Sequence, residues 1–113
     1  MAAVEQGLVS ADERVVVVGT GGISHWVGMP EYGQVNREFD EKILRHVAEG
    51  NVDALAAYSD QDVIDEGGNG ALEIRNWIVA MAAMPGSKAE LIAYEPVEEW
   101  ITGLGFVELS KAA

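Results

Sequence analysis

The sequence contains no cysteine, which excludes disulfides and thiolate metal sites and leaves the redox compartment unspecified. Basic residues are scarce: Lys and Arg number 7 against 19 Asp and Glu, a formal net charge of −12. DNA, RNA and anionic membranes are all bound through basic patches, so this balance opposes each of them, and no nucleic-acid partner is expected. No apolar run approaches the roughly 20 residues of a membrane span, so no membrane partner is expected either. The N-terminal MAAVEQGLVSADER lacks the basic start and apolar core of a secretory signal, which makes the cytoplasm the expected location. Internal repeats and low-complexity segments are also missing. With 113 residues, 49% of them hydrophobic, the chain has room for one domain with a modest core and is not disordered in composition.

The most function-like stretch is Val15–Pro30, VVVVGTGGISHWVGMP. Four β-branched residues closed by Gly19, Gly21 and Gly22 read as a buried central strand of an α/β sheet. Loops leaving such strands form the crevice in which open α/β sheets bind ligands, and the glycines permit tight turns and close backbone approach. His25 sits at that exit.

Around this stretch the pattern predicts mostly helix. Val4, Leu8 and Ala11 fall at helical spacing. Arg37–Glu49 carries an apolar stripe of Phe39, Ile43, Leu44 and Val47, with Asn36 as N-cap and Gly50 as the residue beyond the last turn. A short helix runs from Asn51 to Tyr58, and a third spans about Gln61–Glu66 behind a Ser59 or Asp60 cap. After the break at Gly67-Gly68-Asn69-Gly70, Ala71–Met84 is expected to be the longest helix, about 21 Å at 1.5 Å per residue, burying Ile74, Trp77, Ile78 and Met81. Ala89–Tyr94 is the other strand, followed by a tail rich in exposed-looking aromatics. Two strands make a poor sheet, which suggests that sheet-forming sequence precedes Met1.

His25 suits proton transfer, since an unperturbed imidazole titrates near pH ~6.5; the competing reading is a histidine that only fixes the loop. His46, beside Arg45 and Glu49 in the last turn of its helix, reads as a half-buried helix residue. Glu73 lies in the first turn of an amphipathic helix, with Asn76 and Trp77 one turn on. It is either an acid favoured by the helix dipole or a metal ligand, since carboxylates join imidazoles around Fe(II), Mn(II) or Zn(II). Glu66 competes for that role, though Asp62 and Asp65 suggest a solvated face. The GTGG stretch lacks the remainder of a phosphate loop and has no nearby Lys or Arg before Arg37. Trp26, Trp77, Trp100, Phe106, Met29 and Met84 could line an aromatic pocket, with Trp26 singled out by its neighbour.

Several of these stretches occur in a recognisable order: GTGGISHW, then P-x-x-G-x-V-N-x-x-F-D-x-x-x-L from Pro30 to Leu44, G-x-G-A-L-E-I-x-N-W-I from Gly68 to Ile78, and Y-E-P-V-E-E-W-I-T-G from Tyr94 to Gly103. From Arg14 onward the chain resembles the C-terminal part of class III extradiol ring-cleaving dioxygenases, a group that includes protocatechuate 4,5-dioxygenase β subunits and 2,3-dihydroxyphenylpropionate 1,2-dioxygenases. The resemblance implies a partial α/β sheet with flanking helices, residues 1–113 forming the C-terminal portion of a larger single-domain fold. It implies a non-haem Fe(II) enzyme that opens a catecholic aromatic acid with O₂. By the motif, His25 matches the family's active-site acid/base and Glu73 its carboxylate iron ligand, with Ser24 and Trp26 as substrate-pocket candidates.

The same resemblance puts both iron-ligating histidines in a part of the family that this chain does not carry, and His46 matches neither. The chain is therefore expected to be inactive alone, and to work either as an oligomer or with a missing N-terminal half. Two alternatives are a non-catalytic acidic α/β interaction module, or decayed fragment, that kept the motifs, and a nucleotide-binding domain resting on GTGG alone.

Overall fold

The computed structural model describes residues 6–7 and 9–111. Helices α1 (Arg37–Ala48), α2 (Val52–Ala56), α3 (Asp60–Gly67) and α4 (Ile74–Ala83) precede a β-hairpin of β1 (Lys88–Val97) and β2 (Thr102–Ser110). A 3₁₀ turn, Asn69–Glu73, leads into α4, and another, Glu98–Trp100, joins the strands. This is an α/β arrangement with a small open sheet and flanking helices.

Local chemistry accounts for the helix starts. The Asn36 side chain accepts from the Phe39 amide and that of Asn51 from Ala54. Ser59 and Asp62 form a reciprocal capping box, each side chain accepting from the other's backbone N–H. The stripe Phe39, Ile43, Leu44 and Val47 is buried as its spacing predicts, and meets Leu55, Val63, Ile74, Trp77 and Met81 in one core. The hairpin lies against α1 through Ala89, Tyr94, Val107 and Leu109. Its strands pair antiparallel, Glu90 opposite Glu108 and Tyr94 opposite Gly105, with a bulge between Leu91 and Ala93.

Three expectations are corrected. Val15–Val18 is not a buried central strand: the segment has no strand hydrogen bonding, and its valines are 51–84% exposed. An extended run becomes a sheet strand only when neighbours satisfy its amides, and among the described residues β1 and β2 pair only with each other. The helix expected over Ala71–Met84 begins later, at Ile74, because Asn69–Glu73 winds as a 3₁₀ turn, which leaves α1 as the longest helix among the described residues. The tail after Pro96 is a second strand; Trp100 and Phe106 are exposed as expected, but they flank and occupy a paired element. Of the helix expected near the N-terminus, Val4 and Leu8 lie outside the described residues, and Ala11 lies in a turn.

Candidate active site

The glycine loop is pinned from two sides. On one side the start of β2 holds it: the Ile23 amide donates to the Gly103 carbonyl (2.8 Å), and the Gly103 amide to the Ser24 carbonyl (3.0 Å). On the other side it meets the corner between α3 and the 3₁₀ turn. The His25 amide donates to the Gly67 carbonyl (2.8 Å), and the Gly70 amide to the His25 carbonyl (3.1 Å). Asn69 closes the same edge reciprocally, its side chain accepting from the Val27 amide and donating to the Val27 carbonyl. His25 thus has both backbone groups fixed by the segment that carries Glu73.

The ring is fixed as well. Nδ1 of His25 lies 3.1 Å from the Ile23 carbonyl, and a carbonyl can only accept, so in the neutral ring the proton sits on Nδ1 and Nε2 keeps its lone pair. The ring lies over Gly70, where a Cβ would collide with Cδ2 and Nε2; any side chain at that position would occupy the imidazole's place. Nε2 faces Glu73 Oε2 at 3.7 Å, and the side chains are 14% and 48% exposed. That separation is beyond hydrogen-bonding range, so Nε2 of the mostly buried His25 and the half-exposed Glu73 carboxylate stand side by side without bonding to each other.

Glu73 reaches this position because the 3₁₀ turn ends on it and α4 starts immediately after. Its Oε2 accepts from the Gly22 amide at 2.8 Å. One turn on, Asn76 donates to the Thr20 carbonyl (2.9 Å) and Trp77 Nε1 to the Gly21 carbonyl (3.3 Å). The first turn of α4 therefore grips Thr20–Gly22 with three side chains. The Gly22 amide, which a phosphate-loop reading would offer to a phosphate, is already occupied by a carboxylate.

Ser24 and Trp26 sit elsewhere. Ser24 is fully buried; its hydroxyl accepts from the Asn36 amide and its own amide donates to Asp40 Oδ1, each at 2.8 Å. Trp26, 7% exposed, lines an open cavity of about 470 Å³ with Met29, Glu31, Gln34 and Arg37, and neither His25 nor Glu73 borders it. The aromatic-pocket candidates do not converge: Trp77 is core, while Trp100 and Phe106 face solvent. His46 packs edge-on to Tyr58 at 6.2 Å between ring centroids.

Asp40 is the residue that sequence reasoning missed. It is fully buried on the face of α1 that also buries Phe39 and Ile43, and it hydrogen-bonds both the Ser24 amide and the Tyr94 hydroxyl (2.6 Å). Burial pushes its carboxyl above the usual carboxylate range, against the opposing effect of the Tyr94 and Ser24 hydrogen bonds. Burial and the hydrogen bond to Asp40 together push the Tyr94 phenol well up. The signal in the sequence was an acid standing four residues after the N-cap, in line with Ile43 and Val47.

Among the described residues no group of three or more His, Cys, Asp or Glu side chains converges to hold a metal ion. His25 and Glu73 offer two donors, short of the two-histidine, one-carboxylate set that ferrous oxygenases use. By themselves the residues present do not fit a ferrous centre.

Comparison with known proteins bears directly on this geometry. Residues 2–105 match the family described as the catalytic LigB subunit of aromatic ring-opening dioxygenase. A 2,3-dihydroxyphenylpropionate/2,3-dihydroxicinnamic acid 1,2-dioxygenase of Photorhabdus laumondii is 28% identical over 151 residues, covering 93% of this chain and 48% of that enzyme. Its counterpart in Xanthobacter autotrophicus is 26% identical, covering 90% and 48%. One from a Rhodococcus species is 28% identical over 97 residues, covering 83% and 30%. The chain spans about half the length of the first two of these relatives.

Proposed function

Because the chain belongs to the LigB family of aromatic ring-opening dioxygenases, we propose that it supplies the acid/base residue and the carboxylate of an extradiol centre that cleaves a catecholic aromatic acid with O₂. The observation that carries this reading is the convergence of His25 and Glu73, 3.7 Å apart, on a loop whose backbone is held from both sides.

His25 can do acid/base work as it stands. Its Nδ1–H is committed to the Ile23 carbonyl, so Nε2 is the atom that accepts a proton from a catechol hydroxyl and returns it later in the cycle. An imidazole nitrogen can both take up and release a proton, which suits both directions. Glu73, anchored by the Gly22 amide, is the carboxylate ligand in this reading, and the cofactor is ferrous iron.

The remaining ligands come from the part of the relatives that this chain does not match, joined to the chain or supplied by a partner. Val15–Val18 supports that arrangement: four exposed valines in a segment without strand hydrogen bonding offer an edge on which a strand of that missing part can form. The substrate class, a dihydroxylated aromatic ring bearing an acidic side chain, follows the names of the relatives, and the protocatechuate branch belongs to the same proposal.

The test is anaerobic Fe(II) titration of the chain alone and mixed with a polypeptide that carries the unmatched part of the relatives, followed by a catechol and O₂ assay watched for the coloured ring-fission product. Iron binding and turnover are expected only in the mixture. There, His25→Ala should reduce turnover while sparing iron content, and Glu73→Ala should reduce iron content itself. The reverse pattern would mean that the two roles are exchanged. Stoichiometric iron and turnover in the chain alone would overturn the shared-centre reading.

A further inference from the structure

A carboxylate buried without a cation is expensive, and Asp40 is such a group. It is fully buried, and among the described residues the ion pairs are His25–Glu73, Lys42–Glu66 and Arg75–Asp60. What Asp40 touches is informative. One oxygen takes the Ser24 amide at 2.8 Å and the other the Tyr94 hydroxyl at 2.6 Å. Gly103 makes room for it: a Cβ there would overlap Asp40 Oδ2. The same Gly103 exchanges backbone hydrogen bonds with Ile23 and Ser24.

Ser24 immediately precedes His25, and three of its groups are held by three parts of the chain. Asp40 on α1 holds the amide, Gly103 on β2 holds the carbonyl, and the Asn36 amide holds the hydroxyl. The Ser24 peptide is thus the clamp from which the His25 ring projects, and Asp40 is its carboxylate jaw. Tyr94 steadies that jaw from β1.

We propose that Asp40 is a positioning residue: it sets the His25 ring against Gly70 and Glu73 by holding the Ser24 amide, with Tyr94 as its brace. This rests on the reading of His25 as the acid/base group. It is tested without iron, substrate or a partner chain, so its failure is separable from failure of that reading.

The experiment is NMR on the full chain, wild type against Asp40→Val, Asp40→Asn and Tyr94→Phe. The readouts are the exchange rate of the Ser24 amide and the nuclear Overhauser contacts between the His25 ring and the Gly70 α-protons. Val removes both hydrogen bonds at similar size. Asn restores them, since its oxygen can take the Ser24 amide while its NH₂ donates to the Tyr94 oxygen. In Asp40→Val we expect Ser24 exchange to rise at least about tenfold, the scale set by one lost buried hydrogen bond, together with loss of the His25–Gly70 contacts. Asp40→Asn should keep both. If Asp40→Val retains its helices but also keeps wild-type Ser24 protection and His25–Gly70 contacts, the proposal is wrong. It is equally wrong if Asp40→Asn loses them as fully as Asp40→Val, which would mark a packing or charge effect. Should Asp40→Val fail to fold, Tyr94→Phe decides: faster Ser24 exchange is expected, and an unchanged rate with an unmoved ring would overturn the assignment.

Discussion

Replacing Gly70 with alanine sets two effects of known sign against each other. Gly70 lies in the 3₁₀ turn Asn69–Glu73 and is not among the glycines with positive φ, so the backbone accepts alanine. Restricting the unfolded chain should then stabilise the protein by about 0.4–1 kcal/mol. Against this, the new methyl group would fall on Cδ2 and Nε2 of His25. The ring has little room to yield, because Nδ1 is tied to the Ile23 carbonyl and the His25 amide and carbonyl are tied to Gly67 and Gly70. Either the ring swings out and gives up a hydrogen bond worth about 0.5–1.5 kcal/mol, or the turn shifts at an overpacking cost of about 1–3 kcal/mol.

If the turn shifts, the clash wins by about 1 kcal/mol, which for a domain near this size lowers Tm by roughly 4–8 °C; if the ring swings out, the two effects nearly cancel and the His25 resonances move instead. Thermal melting followed by circular dichroism measures the first effect, and the His25 ring resonances report the second. The informative control is Gly28→Ala. Gly28 has φ +64° and nothing within 4 Å of the added Cβ, so it should cost about 1 kcal/mol of left-handed strain and leave the His25 resonances in place. A Gly70→Ala protein that melts at or above the wild-type temperature, with the ring unmoved, would refute the packing argument for the site.

The remaining predictions concern the supports of the site. The Tyr94 phenol is raised from an ordinary value of 10.0 by burial and by Asp40. Above that pH the unfolded chain loses this proton while the folded chain keeps it, so stability falls as pH rises. Urea denaturation from pH 8 to 11 should show the advantage of wild type over Tyr94→Phe shrinking with pH; a constant difference would contradict the shift. Ser59→Ala removes one half of the α3 capping box and should cost about 1 kcal/mol, read in the same assay. Arg75 donates to the Leu55 and Tyr58 carbonyls as well as to Asp60, so Arg75→Ala should lose about 1–2 kcal/mol. Asp60→Asn, which touches only the exposed ion pair, should be nearly silent in a denaturation experiment.

The helices were legible because their signals are local. Asn36, Asn51 and Ser59 cap helices that start on the next residue, and the spacing Phe39, Ile43, Leu44, Val47 needs no distant partner to be meaningful. Val15–Val18 misled for the opposite reason: its pattern states a strong preference for extended backbone, but burial depends on strands that the described residues do not provide. β2 was missed because Gly103 and Gly105 dilute its strand pattern and Phe106 points outward. Both glycines serve tertiary contact, with Asp40 in one case and with Trp77 and Leu44 in the other. His25 and Glu73 stood out individually, and only the family resemblance joined them before the fold did. Asp40 was illegible because its meaning lies with Tyr94, 54 positions away.

The hairpin register carries a consequence for how the protein behaves in concentrated solution. Glu90 and Glu108 stand directly opposite one another on the exposed side of the sheet, close to the exposed Ile92 and Phe106. Like charges across a strand pair cost some sheet stability, but they also ring an apolar surface with a fixed negative field that turns away a second copy of the same face. Screening by molar salt removes that repulsion while leaving Ile92 and Phe106 where they are. Colloidal stability is therefore conditional: dilute buffer keeps the molecules apart, and high-salt buffer invites them to stack.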